Sequence, residues 1–228
     1  MIQSDIFDSS SMDIKKLGNS VLTFVTRRLI EISGIVILIS GILLFVSLIS
    51  YSPDDPNFIF PENTEIKNYL GFYGSYTSDL FFQSIGLIAF LVPITFIFTG
   101  INIFKKKEIL FFIENLFFVV IYSLIGSIFF SYFYTETFTF YINGNGGFVG
   151  NYLNTTFIKN FLNINENISY YILILVTFIF FLISINFKTK NFLKTLKNLY
   201  EKLFLKEKNY TNKNEIINEY IPQEEIKN

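Results

Sequence analysis

The strongest constraint on this chain is the recurrence of apolar stretches about as long as a bilayer is thick, at roughly 29–49, 80–104, 109–133 and 168–187. A helix rising about 1.5 Å per residue needs about 20 apolar residues to cross a hydrocarbon core of about 30 Å. Each stretch meets that length with almost no charge inside it. Lipid offers no hydrogen bonds, so a spanning segment must satisfy its own backbone, which a helix does. The reading is an all-α membrane protein with four transmembrane helices. Composition agrees: 51% of the 228 residues are hydrophobic and 19% aromatic, with a mean hydropathy of +0.44. Soluble domains rarely reach such values.

Charge is sorted along the chain, and the sorting predicts orientation, because cytoplasmic flanks carry excess Lys and Arg. Lys15, Lys16, Arg27 and Arg28 precede span one, Lys105, Lys106 and Lys107 separate spans two and three, and Lys188, Lys190, Lys194, Lys197 and Lys202 follow span four. The other two connections are poor in cations. Residues 50–79 hold Lys67 against Asp54, Asp55, Glu62, Glu65 and Asp79, and residues 134–167 hold Lys159 with Glu136 and Glu166. Both termini are therefore expected inside (N-in/C-in). Two outer loops of about thirty residues each are too long to be bare coil. The polar segment before span one does not resemble a cleavable leader. The short link between spans two and three predicts an antiparallel helical hairpin.

Small residues recur at helical spacing inside the spans: Ser33, Ser40 and Ser47 beside Gly34 and Gly41, then Gly86, Pro93 and Gly100, then Ser123, Ser127 and Ser131 beside Gly126. Such rows let helix backbones approach closely where lipid supplies little hydrophobic drive. They serve either packing within one bundle or contact with a neighbouring subunit. Pro93, in mid-span, predicts a kink, with Thr95 and Thr99 placed to satisfy freed carbonyls. Glu31 follows Arg27 by four residues, the spacing of an intrahelical pair. Glu114 stands inside span three, where an acid is a functional hypothesis by default. Pairing with the Lys105–Lys107 cluster competes there with a proton or ion role. Asp79 is expected to cap span two.

Catalytic signatures are missing. No G-x-x-x-x-G-K-[ST] phosphate loop, HExxH, CxxC or nucleophile elbow occurs, and the chain has no Cys and no His. The chain is expected not to be an enzyme, with no catalytic residue, cofactor or metal site. The net charge of −1 gives no global basic field for nucleic acid.

Several segments carry a family resemblance. Span one is followed by Ser50-Tyr51-Ser52-Pro53-Asp54-Asp55-Pro56, a helix stop and turn. Before span two stand Asn68, Gly71, Gly74-Ser75-Tyr76 and Asp79-Leu80-Phe81-Phe82-Gln83, then Gly86. Ala89-Phe90-Leu91-Val92-Pro93 lies in span two, and Gly144-Asn145-Gly146-Gly147-Phe148-Val149-Gly150 in the second outer loop. These segments resemble the "SYSPxDP", "NxxGxxGAYxxDLLFQxFG", "AYLLP" and "GGxxG" patterns of the N-terminal four-helix membrane domain of the FtsK/SpoIIIE DNA translocases, with Ser75 in place of the usual Ala. The resemblance covers roughly residues 28–187. It implies a membrane anchor and assembly module of a septal DNA translocase, acting in bacterial cell division and chromosome segregation from the inner membrane. It also implies a homo-oligomer (a hexamer), partners at the division septum, and DNA contact only through an ATPase motor that this sequence does not contain. The residues expected to matter are structural: Pro53, Asp54, Gly71, Gly74, Asp79, Gly86, Pro93, Ser123, Ser127, Gly146 and Gly147. Two other functions fit four spans, a small transporter or channel subunit and a free-standing membrane scaffold.

After span four, Phe192, Leu193, Leu196, Leu199, Tyr200, Leu203 and Phe204 fall on one helical face, opposite Lys194, Lys197 and Lys202. This pattern predicts either a juxtamembrane amphipathic helix held by anionic lipid or an extension of span four into water. The expected organisation is a cytoplasmic segment (1–28), a transmembrane domain (29–187), that helix (188–205) and a polar linker (206–228).

Overall fold

The computed structural model describes residues 2–56, 65–135 and 142–188, and beyond them Lys194 and 197–201. Every regular element among them is helical: α1 (Ile2–Ile49), α2 (Gly71–Ile85), a 3-10 segment (Gly86–Phe90), α3 (Leu91–Lys106), α4 (Leu110–Phe133), α5 (Gly147–Asn154), α6 (Phe157–Leu162) and α7 (Glu166–Ser184). Four segments are long and apolar enough to cross a membrane: Gly18–Ile49, Gly71–Lys106, Leu110–Phe133 and Glu166–Ser184. The all-α, four-span architecture expected from hydropathy is the one observed.

The most extensive helix contact is between α1 and α3, and glycines create it. A Cβ on Gly34 would stand 2.9 Å from the Phe104 nitrogen, one on Gly41 2.9 Å from the Ile97 nitrogen, and one on Gly100 2.6 Å from the Gly34 carbonyl oxygen. Main chain thus meets main chain, which is how dispersion and packing hold helices together in lipid. Helix α4 packs on α7 through aromatic rings instead, with Phe118 stacked on Phe180 at 6.1 Å and Tyr122 edge-on to Phe181 at 5.9 Å. Two small apolar clusters fill the interior, one of Ile88, Val92, Val119 and Tyr122, the other of Leu48, Phe82 and Ala89. Large apolar side chains elsewhere on α1 and α7, such as Val36, Ile39, Leu175 and Phe178, are exposed, as suits faces turned to lipid.

The second span departs from a single kinked helix. It runs 36 residues, well beyond the crossing length of about 20, and is broken at Gly86–Phe90. Gly86 takes φ +70°, which ends α2, and the chain tightens into 3-10 form before α3 begins. Pro93 does not make the bend. It lies in the first turn of α3, where backbone N–H groups lack helical partners in any case, so its missing donor costs little. The helix also begins at Gly71, upstream of the apolar run. Asp79 therefore lies within α2 rather than at its cap, and is 2% exposed. Local apolarity marks where lipid begins. The turn at Asn68, whose carbonyl accepts the Gly71 N–H at 2.9 Å, marks where the helix begins.

A second compact unit spans Phe187–Asn228, and its described residues, Phe187, Lys188, Lys194 and 197–201, include a helical turn at 197–201 with Lys197 and Glu201 3.8 Å apart. Most of the proposed amphipathic helix (188–205) and all of the 206–228 linker lie outside the described residues.

Candidate functional site

The polar residues gather at three levels of the bundle. At the long-loop end, the turn after α1 is held by Asp55, which is 3% exposed. Its two carboxylate oxygens accept the Lys67 and Asn68 backbone N–H groups, each at 2.8 Å. Asn68 continues the clasp. Its amide nitrogen donates to the Ser47 carbonyl at 2.9 Å, and its Oδ1 accepts the Leu70 N–H at 3.1 Å. Gly74 leaves the space in which the Asn68 side chain sits. Ser75 Oγ donates to the Pro56 carbonyl at 2.6 Å, and Ser47 Oγ to the Gly74 carbonyl at 2.6 Å. Ser75, standing where the resembled pattern has Ala, thus adds a tie between loop and helix. Asp79 accepts from Tyr51 Oη at 3.2 Å and Gln83 Nε2 at 3.4 Å. Asp54 lies on the surface, paired with Lys67 at 2.7 Å, and its carboxylate holds the Lys67 ammonium above its ordinary pKa. Pro53 is exposed on the same turn.

Beside this clasp the second long connection folds back onto the bundle. The Asn145 carbonyl accepts the Leu87 N–H at 2.9 Å, taking up a donor freed by the break at Gly86. A side chain on Gly86 would land on that same carbonyl. A Cβ on Gly147 would stand 2.5 Å from the Gly86 nitrogen, and one on Gly146 2.5 Å from the Ser127 carbonyl oxygen. Gln83 grips the loop, accepting the Asn143 N–H and giving its own carbonyl to Asn143 Nδ2, both at 3.2 Å. Ser127 Oγ donates to the Ile85 carbonyl at 2.8 Å, and Ser131 Oγ to Asn151 Oδ1 at 2.8 Å. The Ser127/Ser131 part of the α4 row therefore receives the break and α5 of the same chain. Gly126 similarly makes room for Ile88. Ser123 is buried, and its hydroxyl finds no partner among the described residues.

Deeper in the bundle lie two groups of bonded, uncharged polar side chains, around Thr95 and Thr99. The sequence singled out the two threonines for freed carbonyls, and the Thr95 hydroxyl does reach the Leu91 carbonyl at 3.3 Å, but the sequence did not reveal their partners on α4 and α7. Thr95 Oγ1 lies 3.1 Å from Tyr122 Oη and 3.0 Å from Ser184 Oγ. Asn186 Nδ2 donates to Asn115 Oδ1 at 3.0 Å, and Asn115 Nδ2 to Thr99 Oγ1 at 2.7 Å. These bonds tie α3, α4 and the end of α7 together. The available signal was weak: Asn115 interrupts an apolar stretch, and the threonines follow Pro93 by two and six residues.

At the short-turn end, Glu31 pairs with Arg28 at 2.6 Å and Lys107 at 2.7 Å, not with Arg27. Helix α3 ends on Lys107 in the left-handed conformation, φ 61°, which brings its side chain back to α1. Lys106 Nζ lies over the Phe111 ring at 3.8 Å. Glu114 is exposed on α4, and no ion pair joins it to the lysine cluster among the described residues. Glu31 has taken the partner that spacing offered to Glu114.

Of the residues expected from sequence, Gly71, Gly74 and Asp79 meet at the first clasp, and Gly86, Ser127, Gly146 and Gly147 at the second. Pro53 is exposed on the turn, Asp54 pairs with Lys67 at the surface of the first clasp, and the Ser123 hydroxyl finds no partner among the described residues. Asp55, Asn68, Gln83 and Asn145 were not singled out, because polar residues in loops look interchangeable until their backbone partners are known.

A broken span held by loop and helix backbones, on a scaffold of four bilayer-length helices, defines a multi-pass α-helical membrane domain. A family model describing the 4TM region of DNA translocase FtsK/SpoIIIE matches residues 26–197, and the chain belongs to that family. It is thereby a multi-pass inner-membrane protein. Among curated proteins it is similar to the DNA translocase FtsK of Rickettsia typhi, 33% identical over 97 residues, which is 42% of this chain and 13% of that protein. It is also similar to the DNA translocase FtsK of Rickettsia bellii, 32% identical over 77 residues (34% of this chain, 10% of that protein). The DNA translocase FtsK of Shewanella oneidensis is 32% identical over 111 residues (48% and 12%). The alignments thus span between a tenth and an eighth of these relatives' length. No solved structure matches.

Proposed function

We propose that this domain anchors a DNA translocase in the bacterial inner membrane and assembles its subunits at the division septum, without itself performing catalysis. The family match across the four spans carries the reading. The motor and DNA contacts belong to other parts of the translocase, and the spans raise its local concentration beside the closing septum. Both termini lie inside, and the clasped loops face outward, where they meet division partners. This orientation is supported by the clustering of Arg27, Arg28 and Lys105–Lys107 at the short-turn end. The domain forms a homo-oligomer, a hexamer by family resemblance. Its structural residues are Gly71, Gly74 and Asp79 at the first clasp and Gly86, Ser127, Gly146 and Gly147 at the second, with Pro53, Asp54, Pro93 and Ser123 shaping the turns and helix faces around them. The two polar groups at mid-bundle are uncharged and bonded within themselves, which suits helix cohesion better than ion passage.

The test is a fluorescently tagged full chain in dividing cells. Enrichment at midcell that depends on the spans is expected. A uniform distribution around the envelope overturns the septal assignment.

A further inference from the structure

We propose that the short-turn end carries a discrete site for the headgroup of an anionic phospholipid, built by Arg27, Arg28, Lys105, Lys106 and Lys107 around Glu31. The proposal rests on the membrane-spanning reading and goes beyond the anchoring role. Two helices that touch at Gly34, Gly100 and Phe104 bring the cations together. Contact so close puts residues 31–34 of α1 beside the last turn of α3. Residues 27–31 and 105–108 together carry five cations and two carboxylates, Glu31 and Glu108. Glu31 is the shielded one, at 13% side-chain exposure, and it orients Arg28 and Lys107 while cancelling only one of their charges. Arg27 and Lys105 are exposed and make no ion pair with any described residue.

The surroundings fit the boundary between headgroups and acyl chains. Arg28 lies over the Phe24 ring at 5.1 Å and Lys106 over the Phe111 ring at 3.8 Å. Leu29, Phe104 and Leu110 are exposed apolar neighbours, placed to meet acyl chains. A phosphodiester with an uncancelled negative charge complements the excess cations, whereas a zwitterionic headgroup brings its own ammonium among them. Near an anionic lipid surface each Lys or Arg changes affinity by about fivefold.

The experiment uses the full chain in mild detergent, titrated with equal phosphatidylglycerol and phosphatidylcholine and read by native mass spectrometry. Phosphatidylglycerol is expected to be retained in preference. The double variant Arg27→Gln/Lys105→Gln is expected to lose about twentyfold in phosphatidylglycerol retention, with phosphatidylcholine unchanged. Glu31→Gln, which frees two cations, is expected to gain about fivefold. The double variant changes only exposed side chains and remains informative if Glu31→Gln fails to fold. Equal retention of the two lipids, an unchanged double variant, or a loss in Glu31→Gln each overturns the proposal. So does displacement of the lipid by excess inorganic phosphate, which would assign the cations to a free anion.

Discussion

Asp54 and Asp55 are adjacent, identical in chemistry and opposite in consequence. Asp55 is buried and accepts two backbone N–H groups, while the Asp54 side chain is 72% exposed and pairs with the exposed Lys67 ammonium. Asp55→Asn replaces one acceptor by a donor and is expected to cost about 2 kcal/mol. Asp54→Asn should cost less than about 0.5 kcal/mol, the range of exposed ion pairs. Thermal unfolding in detergent distinguishes them, and hydrogen exchange at the Lys67 and Asn68 amides should accelerate only in Asp55→Asn. The glycines separate in the same way. Gly86 and Gly144 share a left-handed φ near 70°, but a Cβ on Gly144 meets open space and one on Gly86 meets the Asn145 carbonyl. Gly144→Ala should lose about 1 kcal/mol from backbone strain alone. Gly86→Ala should lose about 3 kcal/mol, with overpacking added, and its melting temperature should fall well below that of Gly144→Ala. The sequence singled out Gly86 but not Asp55. Glycine spacing is visible in a string of letters, whereas a carboxylate's backbone partners twelve and thirteen residues away are not.

At the scale of elements, the span boundaries show what hydropathy measures. It located the apolar part of each crossing and the short link near Lys107. It could not see that α2 begins at Gly71 or that 3-10 geometry divides the second span, because hydrogen bonds to Asn68 and Asn145 decide both. Pro93 was the plausible place for a bend by its chemistry, but the break had already occurred at Gly86, and proline came to rest where a helix tolerates it. Pro93→Ala should therefore leave the break in place and change stability by about 1 kcal/mol or less, whereas Gly100→Val should push α1 from α3 and cost about 3 kcal/mol or more. Unfolding of both variants in detergent checks the contrast. A cysteine pair placed across α1 and α3 should crosslink in Pro93→Ala and not in Gly100→Val. The small-residue rows were legible as contact surfaces but not as to their partner: Gly34, Gly41 and Gly100 serve α1 against α3, while Ser127 and Ser131 receive a loop of the same chain.

For the whole molecule, the two ends of the bundle differ in kind. One is tied by a buried acid and an asparagine bonded to backbone groups, and the other carries a cluster of cations, two of them paired with Glu31. With the proposed orientation, protease added to inside-out vesicles should cut at Lys105–Lys107, and protease added to right-side-out spheroplasts should cut in the 50–70 loop near Lys67. Mass spectrometry of the fragments reads the result, and the reverse pattern would invert the topology. The mid-bundle polar groups are the part of the architecture least visible in the sequence. Thr95 and Thr99, Asn115 and Tyr122, and Ser184 and Asn186 come from three segments well separated in the chain, and only helix packing makes them neighbours.

The Leu87 amide waits for a carbonyl from Asn145, far downstream in the chain. A ribosome feeding this protein into the bilayer can pair α1 with α3 as soon as Lys106 has emerged, yet the break in that same span stays open until the loop before α5 has been made. The clasp of Ser47, Asp55, Asn68 and Gly74 precedes Lys106 in the chain and can close equally early, so a translation stall between those two moments would leave one unpaired amide, that of Leu87, in an otherwise assembled hairpin.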